Sequence, residues 1–478
     1  MEVLSTAGDL SVEIDNLEFD SREAKPGTLF FAMRGTQTDG HRFIGAAVGL
    51  GASAVVCEEL PEELCGGVTY VRVADSTVAL GRIASAFYGH PSRNLKLVGI
   101  TGTNGKGSTA AMVASVLDQA GLTVGLYTSP HLWRFHERFQ VNGVPIPDDT
   151  LGRIAERVIQ AGKGMEDPAT EFELMTVVGM LYFLEAGCDI VVLEVGLGGR
   201  MDSTNVIPAP EVAVITNIGL EHTRELGDTL AQIATEKSGI LKSGCDAVLY
   251  HQSGEVEEVI LAACRHQGIP LTLTNPEGLR VLESGRDGQT FTYRDRGAFH
   301  ISLLGRYQLY NAATALEVAA ALVRRGWKIS EEAVRQGLRA AVWPARMELA
   351  RRNPDVLLDG GHNPQCMGAL RRSLEELYPN RKIFFLTGVL SDKDYPSMLG
   401  ELLPLSKQFV TITPDSDRAL SAGELAQYLR QAGAEAQPCG SVSEGIQTVL
   451  DLAQPNDVVC VCGSLYMIGE ARHALGLC

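Results

Sequence analysis

A glycine-rich loop with a single lysine stands between an apolar run and an amphipathic segment: Gly102-Thr103-Asn104-Gly105-Lys106-Gly107-Ser108. The run, residues 96–101, predicts a buried strand, and residues 108–120 predict a helix. Glycines let backbone N–H groups approach phosphate oxygens closely, and a helix N-terminus favours an anion. Lys106 supplies a mobile cation, and Ser108 or Thr109 supplies a hydroxyl. This strand–loop–helix order predicts a triphosphate-binding site in an α/β protein with a doubly wound parallel sheet.

The rest of the chain supports that fold class. Residues 189–195 and 212–218 are continuous apolar runs, as expected for parallel strands buried on both faces. A second strand–helix alternation begins near residue 344, with candidate strands at 356–358, 382–387, 408–413 and 457–462. Before it, strand-like runs at 28–32 and 54–57 and a helical segment at 78–88 lead into a linker-like stretch, Gly89-His90-Pro91-Ser92. We therefore predict three domains, comprising residues 1–95, 96–343 and 344–478.

Composition excludes several classes of protein. The 478 residues carry a formal net charge of -17, which argues against a general nucleic-acid binder. No apolar run reaches the roughly 18 residues of a membrane span, and the N-terminus has no basic stretch followed by an apolar core. The ten cysteines are scattered, as is usual for reduced thiols. We expect a monomeric, cytoplasmic protein that acts on small molecules.

Three ionisable residues follow predicted strands of the nucleotide-binding domain. Glu194 ends the run 189–195, His222 follows the strand that ends at Asn217, and Lys237 lies in the next helix. A carboxylate and a neutral imidazole are reasonable Mg²⁺ ligands near phosphates. A buried glutamate or a structural histidine is equally compatible with this spacing. Lys237 by itself indicates a solvated helix lysine.

A longer series of ordered motifs points to one family. After the loop come Tyr127-Thr128-Ser129-Pro130-His131-Leu132, Thr170-Glu171-Phe172-Glu173, Glu194-Val195-Gly196-Leu197-Gly198-Gly199-Arg200, Asp202-Ser203-Thr204-Asn205, Glu236-Lys237, Gly305-Arg306-Tyr307-Gln308 with Asn311, Trp343-Pro344-Ala345-Arg346 and Asp359-Gly360-Gly361-His362-Asn363-Pro364. From residue 96 onward the chain resembles folylpolyglutamate synthase/dihydrofolate synthase, a member of the Mur ligase superfamily. The resemblance implies a three-domain architecture: a central P-loop sheet, a Rossmann-like C-terminal α/β domain and a small N-terminal α/β domain. It also implies an ATP-dependent ligase that adds glutamate to folate or dihydropteroate through an acyl phosphate.

The resemblance also implies roles for individual residues. It assigns Mg²⁺, with two ions expected, to Ser129, Glu194, His222 and a carbamate formed from Lys237 and CO₂. It assigns ATP to residues 102–108, Asn311, Arg346 and Asp359, with the last two across a hinge from the loop. It assigns the pterin-bearing substrate to Thr170 and Met201-Asp202-Ser203, and it suggests that His362 lines the closed site.

The first 95 residues resemble a different relative, UDP-N-acetylmuramoyl-tripeptide synthetase. The matching pieces are Asp20-Ser21-Arg22, Pro26-Gly27-Thr28-Leu29-Phe30, Asp39-Gly40-His41-Arg42-Phe43-Ile44 and Gly51-Ala52-Ser53-Ala54-Val55-Val56. In that relative the domain holds a uridine nucleotide; here it either does so or is a retained cap. The alternative function is therefore a ligase that adds an amino acid to a UDP-muramyl peptide. A third reading is a non-catalytic ATP-binding scaffold subunit.

Two details of the sequence distinguish the folate ligase from the UDP-muramyl peptide ligase. The muramyl ligases usually place Thr directly after the loop lysine, whereas Gly107 intervenes here as in the folate enzymes. The stretch Asp415-Ser416-Asp417-Arg418 replaces the Asp-Asn-Pro-Arg of the enzyme that adds diaminopimelate. Both details favour the hypothesis that the chain is a folate ligase.

Overall fold

The computed structural model describes residues 3–33, 39–87, 95–162, 169–252 and 254–477. These divide into two compact units: a first unit of Met1–Leu95 with Asp149–Tyr182, and a second unit of Lys96–Asp148 with Phe183–Cys478. The linker predicted at residues 89–92 lies outside the described residues. Within the described residues, no helix is both long and apolar enough to span a membrane.

The chain begins with a small sheet. Its elements are β1 (Val3–Ala7), β2 (Asn16–Glu18), β3 (Thr28–Phe31), α1 (Ile44–Gly49), β4 (Ala54–Cys57), β5 (Thr69–Val73) and α2 (Ser76–Phe87). The strand order is β1-β5-β4-β3-β2, and all pairs are parallel except β1 with β5. Every residue of β3 and β4 is buried, which explains why these two apolar runs could be predicted as strands. Both predictions are confirmed to within one residue.

The next elements build the central sheet. They are β6 (Leu97–Thr101), α3 (Lys106–Gln119), β7 (Val124–Tyr127), β8 (Phe139–Val141), β9 (Val144–Pro145), α4 (Asp148–Gly162), α5 (Glu171–Glu185), β10 (Ile190–Glu194), β11 (Val212–Ile215), α6 (Thr223–Leu226), α7 (Leu230–Ser238), β12 (Asp246–Leu249), α8 (Gly254–Gln267) and β13 (Leu271–Leu273). The eight strands follow the order β13-β12-β11-β6-β10-β7-β8-β9, and only β8 and β9 are antiparallel to their neighbours.

The third stretch completes the chain. Its elements are β14 (Leu279–Gly285), β15 (Gly288–Tyr293), β16 (Ala298–Ile301), α9 (Arg306–Arg324), α10 (Glu331–Ala340), β17 (Glu348–Arg351), β18 (Asp355–Asp359), α11 (Pro364–Leu377), β19 (Ile383–Thr387), α12 (Tyr395–Leu402), β20 (Ser406–Thr411), α13 (Ala422–Gln431), β21 (Ala436–Pro438), α14 (Val442–Leu452), β22 (Val458–Cys462) and α15 (Leu465–Ala474). The six strands β17-β18-β22-β19-β20-β21 form a second sheet, parallel except for β17. The antiparallel sheet β14-β15-β16 had not been predicted from the sequence.

Helices cover both faces of the central sheet. Val98, Ile100 and Val214 pack with α3 and α9 in one cluster, whereas Ala213 and Ile215 pack with α7 and α8 in another. Because successive strand side chains point to opposite faces, these clusters lie on opposite sides of the sheet. The sheet β17–β22 is covered in the same way, by α11–α13 on one face and by α14 and α15 on the other. The predicted doubly wound α/β fold is confirmed.

The strand order decides where the loops meet. Strands β11, β6, β10 and β7 are neighbours and parallel, so the loops that follow them emerge at one edge of the sheet. In open parallel sheets, ligands bind at this carboxyl edge.

Candidate functional site

A cavity of about 640 Å³ lies at this edge of the central sheet. Most of the residues predicted for the site line it: the whole loop 102–108, Ser129, Glu194, His222, Lys237, Asn311, Arg346 and Asp359. His362 also lines it, as predicted. The second unit therefore brings together residues that are as far apart in the chain as Gly102 and His362.

The phosphate loop is held to the neighbouring strand by its backbone. The N–H groups of Thr103 and Asn104 donate to the carbonyl oxygen of Asn217 at 2.7 and 3.1 Å. Gly105 has a φ of 89°, in the left-handed region that favours glycine. A Cβ there would also lie 2.6 Å from Oδ1 of Asn311. The first N–H groups of α3 have no acceptor within the helix, and they are the donors that suit an anion.

Lys106 and Ser108 are the side chains of the loop that carry chemistry. Lys106 is the first residue of α3, and its Nζ donates to the carbonyl oxygens of Gly102 and Thr103 at 3.2 and 3.4 Å. Oγ of Ser108 accepts from Nε2 of Gln308 at 3.2 Å. Thr109, in contrast, is fully buried, and its Oγ1 has no hydrogen-bond partner among the described residues. The sequence offered either Ser108 or Thr109 as the hydroxyl of the phosphate site. In the structure, Ser108 is the one that lines the cavity.

Glu194 is a buried carboxylate at the end of β10. Its Oε2 accepts a hydrogen bond of 3.1 Å from the N–H of Ser129. Burial raises the pKa of Glu194, and the positive charges of Lys106 and Arg346 oppose that rise. A carboxylate among cations and beside a phosphate loop is the kind of oxygen donor that a divalent ion prefers.

His222 and Glu221 follow β11 and differ in their partners. His222 has a φ of 53° and precedes α6. Partial desolvation of its ring lowers its pKa, which favours the neutral imidazole that can bind a metal. Glu221 accepts from Nε2 of His362 at 3.1 Å and lies 3.6 Å from Nζ of Lys393. Burial opposes ionisation of Glu221, but His362 and Lys393 lower its pKa to about 2. Glu221 was not predicted, because its partners lie more than 140 positions away.

Lys237 is buried, and its interpretation as a solvated helix lysine is wrong. A capping box between Thr229 and Gln232 starts α7, and Lys237 lies near the end of that helix with 4% exposure. Its Nζ donates to the carbonyl oxygen of Gly102 at 3.0 Å. Burial, with a contribution from Lys106, lowers the pKa of Lys237 to about 7. Amphipathic spacing did not reveal this burial, because the amine lies against the phosphate loop, whose Gly102 is 135 positions earlier in the chain.

Arg346 reaches the cavity from the segment between α10 and β17. The residues on both sides of it, Ala345 and Met347, have φ values of 62° and 49° although neither is glycine. Such conformations persist only where the surroundings impose them. Asp359 contributes, since its Oδ2 accepts from the Met347 N–H at 3.0 Å and its Oδ1 accepts from the Gly361 N–H at 2.9 Å.

A group of polar residues that the sequence analysis did not assign joins α11 to the phosphate loop. Nδ2 of Asn104 donates to Oε1 of Gln365 at 2.7 Å, and Nδ2 of Asn363 donates to Oδ1 of Asn104 at 3.2 Å. The Cys366 thiol also donates to Oδ1 of Asn104, at 3.0 Å. Asn363 belongs to a motif quoted above, but nothing in the sequence indicates that it contacts residue 104.

The residues predicted for the pterin-bearing substrate are not gathered in this cavity wall. Met201 is 82% exposed, and Asp202 accepts from the N–H groups of Leu197 and Thr204 at 2.7 and 3.0 Å. As far as the structure describes the chain, the wall takes residues 196–198 from this loop and not residues 201–203. Thr170 belongs to the first unit, where its N–H and hydroxyl donate to Oε2 of Glu173.

The oxygen and nitrogen donors of the cavity suit a divalent metal ion. Among the described residues, no three His, Cys, Asp or Glu side chains form a ready metal cluster. Ser129, Glu194 and His222 nevertheless line one cavity with the phosphate loop, and they offer a hydroxyl, a carboxylate and an imidazole. These donors fit an ion that takes its remaining ligands from water and from a bound phosphate, which is how Mg²⁺ usually binds.

Comparisons with known proteins bear on the same residues. Three family models match: "Mur ligase family, catalytic domain" at residues 13–88, "Mur ligase middle domain" at 100–319 and "Mur ligase, glutamate ligase domain" at 345–465. Folylpolyglutamate synthase of Lacticaseibacillus casei is 35% identical over 403 residues, which cover 81% of this chain and 91% of that protein.

Solved structures of the same family are also similar to this chain. Escherichia coli FolC in complex with DHPP and ADP is 30% identical with a TM-score of 0.71, over 81% of this chain and 91% of that one. The bifunctional folylpolyglutamate synthase/dihydrofolate synthase of Yersinia pestis, complexed with AMPPNP and a Mn ion, is 31% identical with a TM-score of 0.72, over 83% of this chain and 93% of that one.

Proposed function

Because this chain belongs to the folylpolyglutamate synthase/dihydrofolate synthase family of the Mur ligases, we propose that it is an ATP-dependent ligase that adds glutamate to a folate or dihydropteroate carboxylate. The observation that carries the proposal is the cavity itself. It is lined by a phosphate loop, a buried carboxylate and a buried lysine of lowered pKa, next to residues from the β17–β22 sheet. A phosphate loop with its lysine, beside a carboxylate that can hold a metal ion, provides the groups that stabilise a phosphoryl transfer.

The nucleotide is the best supported substrate. We assign the triphosphate to Gly102, Thr103, Asn104, Gly105, Lys106, Gly107 and Ser108, with Asn311, Arg346 and Asp359 around them. Lys106 and the first N–H groups of α3 would stabilise negative charge as it develops on the phosphate oxygens. Related proteins hold ADP or AMPPNP, which supports this assignment. Asp359 already accepts backbone hydrogen bonds, so its main contribution would be to hold the segment that carries Arg346.

The metal assignment follows from the donor set. We propose that Ser129, Glu194 and His222 hold one Mg²⁺ and that a carbamate on Lys237 holds a second. When bound, Mg²⁺ would neutralise charge on the transferring phosphoryl group. The buried Glu194 gains a counter-ion in this arrangement, and the lowered pKa of His222 leaves its imidazole neutral for binding.

Lys237 is suited to carbamate formation. Only the neutral amine adds CO₂; the new N–C bond forms and one proton is released. Lys237 is buried, bonded to a backbone carbonyl oxygen and without a carboxylate within bonding distance among its described contacts. Its pKa of about 7 means that a large share of the amine is neutral near pH 7. The product would be an anion beside Lys106.

The reaction then takes two steps. The acceptor carboxylate attacks the γ-phosphorus of ATP, the bond to the bridging oxygen breaks, and ADP and an acyl phosphate result. The neutral amine of glutamate attacks the acyl carbon, phosphate leaves with the C–O bonding electrons, and the amine proton passes to solvent. We assign the pterin-bearing acceptor to Thr170, Met201, Asp202 and Ser203, an assignment that rests on the family resemblance.

A substrate panel tests the proposed function. Purified protein should release phosphate from ATP only when a pteroate or folate and glutamate are both present, and the product should be larger by one glutamyl residue. Omitting either substrate is the control. Phosphate release that does not depend on a pterin acceptor would contradict the proposal.

The cell-wall alternative rests on one observation, the Mur ligase match at residues 13–88. Crossing pterin and UDP-muramyl acceptors with glutamate and diaminopimelate separates the two functions. A rise in melting temperature with UDP-sugar peptides but not with folates would favour the alternative. Family membership leaves no support for the scaffold subunit.

The setting of the reaction is a further part of the proposal. We propose that the enzyme acts as a monomer in the cytoplasm, with domains at 1–95, 96–343 and 344–478. The nine cysteines among the described residues are free thiols, which is the rule in a reducing compartment. Size-exclusion chromatography with light scattering tests the monomer.

A further inference from the structure

Gly107 has no conformational reason to be glycine. It is the second residue of α3, and it is absent from the positive-φ positions of the described chain. Glycine destabilises a helix relative to alanine, so another constraint must act at this position. A Cβ built on Gly107 would lie 2.5 Å from Cζ2 and 2.9 Å from Nε1 of Trp343. These atoms belong to a rigid ring, and rotation about a terminal bond cannot relieve such a contact.

Trp343 lies between the phosphate loop and the segment that presents Arg346. Its ring packs against the core cluster that includes α3, α9 and α10. It also lines a second cavity of about 330 Å³, together with Val342, Pro344 and Met347. Arg346 lines both this second cavity and the larger one. A shift of the indole ring would therefore displace the first turn of α3, the Arg346 segment, or both.

We propose that Trp343 is a positioning residue for the ligation reaction. Its ring fills the space over Gly107 and sets the spacing between the phosphate loop and Arg346. The inference rests on one part of the proposed function, namely that the phosphate loop and Arg346 bind the nucleotide. A rival explanation of Gly107 is that the phosphates themselves need the space, and this explanation assigns no role to Trp343.

The two explanations differ when the ring is made smaller. The experiment compares Gly107→Ala, Trp343→Leu and the double variant, measuring Kd for ADP by calorimetry and KM for ATP and kcat in the ligation assay. Gly107→Ala should raise Kd and KM about ten- to a hundredfold, because a displacement of about 1 Å has such effects. In the double variant, both values should return to within about threefold of Trp343→Leu alone, since the methyl group then has room.

Gly423→Ala is the matched control. Gly423 is also the second residue of a helix, α13, and a Cβ there meets nothing within 4 Å. Its nucleotide affinity should equal that of the wild type. Effects that multiply in the double variant would overturn the proposal and favour the phosphate explanation. Wild-type affinity in Gly107→Ala would overturn the proposal and the phosphate explanation alike.

Folding is monitored by circular dichroism, and Trp343→Phe replaces Trp343→Leu in the same cycle if the leucine variant does not fold. The calorimetric cycle needs no acceptor. If the wild-type protein failed to ligate glutamate to a folate, the proposed function would fall while the ADP measurements still decided the role of Trp343.

Discussion

Nζ of Lys237 donates a hydrogen bond of 3.0 Å to the carbonyl oxygen of Gly102, 135 positions earlier in the chain. The bond joins the last turn of α7 to the first glycine of the phosphate loop. A carbamate formed on this amine would therefore lie directly beside the bound triphosphate. The relationship makes Lys237 the most informative position for testing the mechanism.

We expect Lys237→Ala to lower kcat at least about a hundredfold, because an interaction made chiefly in the transition state is lost. Short carboxylic acids such as acetate should restore part of the activity by occupying the vacated space. In ¹³C NMR with labelled bicarbonate, the wild-type protein should show a carbamate signal that the variant lacks.

Lys242→Met is the control for that measurement. Lys242 is a second lysine with lowered solvent exposure, half-buried, and its Nζ donates to the carbonyl oxygens of Asn205 and Ile207. Its replacement should leave the carbamate signal intact. A signal of equal intensity in Lys237→Ala and wild type would place the carbamate elsewhere.

We expect Glu194→Gln to weaken binding of ADP in the presence of Mg²⁺ by about ten- to a hundredfold, because the carboxylate that we propose as a metal ligand loses its charge. The ligand-free variant should melt at the same temperature as the wild type or higher, since an ionised carboxylate no longer has to be buried. Glu211→Gln serves as the comparison, because Glu211 precedes β11 and pairs with Arg325 at 2.7 Å. Equal dependence of ADP binding on Mg²⁺ in Glu194→Gln and wild type would count against the metal assignment.

We expect Glu221→Ala to lower the free energy of unfolding by roughly 1 to 2 kcal/mol, because His362 and Lys393, which are partly exposed, lose a partner whose carboxylate is only 10% exposed. Asp287→Ala, which breaks a pair with Arg352 on a carboxylate that is 89% exposed, should cost less than about 1 kcal/mol. Urea unfolding at neutral pH measures both. Similar losses in the two variants would mean that burial of Glu221 does not strengthen its pairs.

We expect Lys242 to make stability depend on pH. Burial lowers its pKa from 10.5 to about 8. Between these values the unfolded chain holds a proton that the folded chain has released, so this residue's contribution to stability increases as the pH rises through that window and is lost as the pH falls through about 8. We would measure urea unfolding from pH 7.5 to 10. Over this range the free energy of unfolding of the wild type should rise by up to about 1 kcal/mol per pH unit relative to that of Lys242→Met. Parallel curves would show that Lys242 keeps its ordinary pKa.

The sequence was most informative where one local pattern sufficed. Spacing along a short stretch predicted the loop 102–108, the position of Glu194 at the end of a strand, and seven strands of the two large sheets: β6, β10, β11, β18, β19, β20 and β22. It was least informative about the sheet β14–β16 and about the Asn104–Gln365 contact. Both lack a strong local pattern, and the second joins residues 261 positions apart.

By itself, the sequence determined the α/β class, the phosphate loop and the family, because continuous apolar runs, glycine-rich turns and family motifs are patterns within short stretches of the chain. Only the tertiary structure decided which side chains share the cavity and in what state. Lys237 is the clearest case: a lysine near the end of an ordinary helix becomes a buried amine of lowered pKa, because its side chain lies against the distant phosphate loop and close to the charge of Lys106. Trp343 and Gly107 are a second case, since the reason for the glycine is a ring that lies 236 positions away along the chain and in contact in space. Burial and contact across such separations depend on the packed fold, and no short stretch of sequence encodes them.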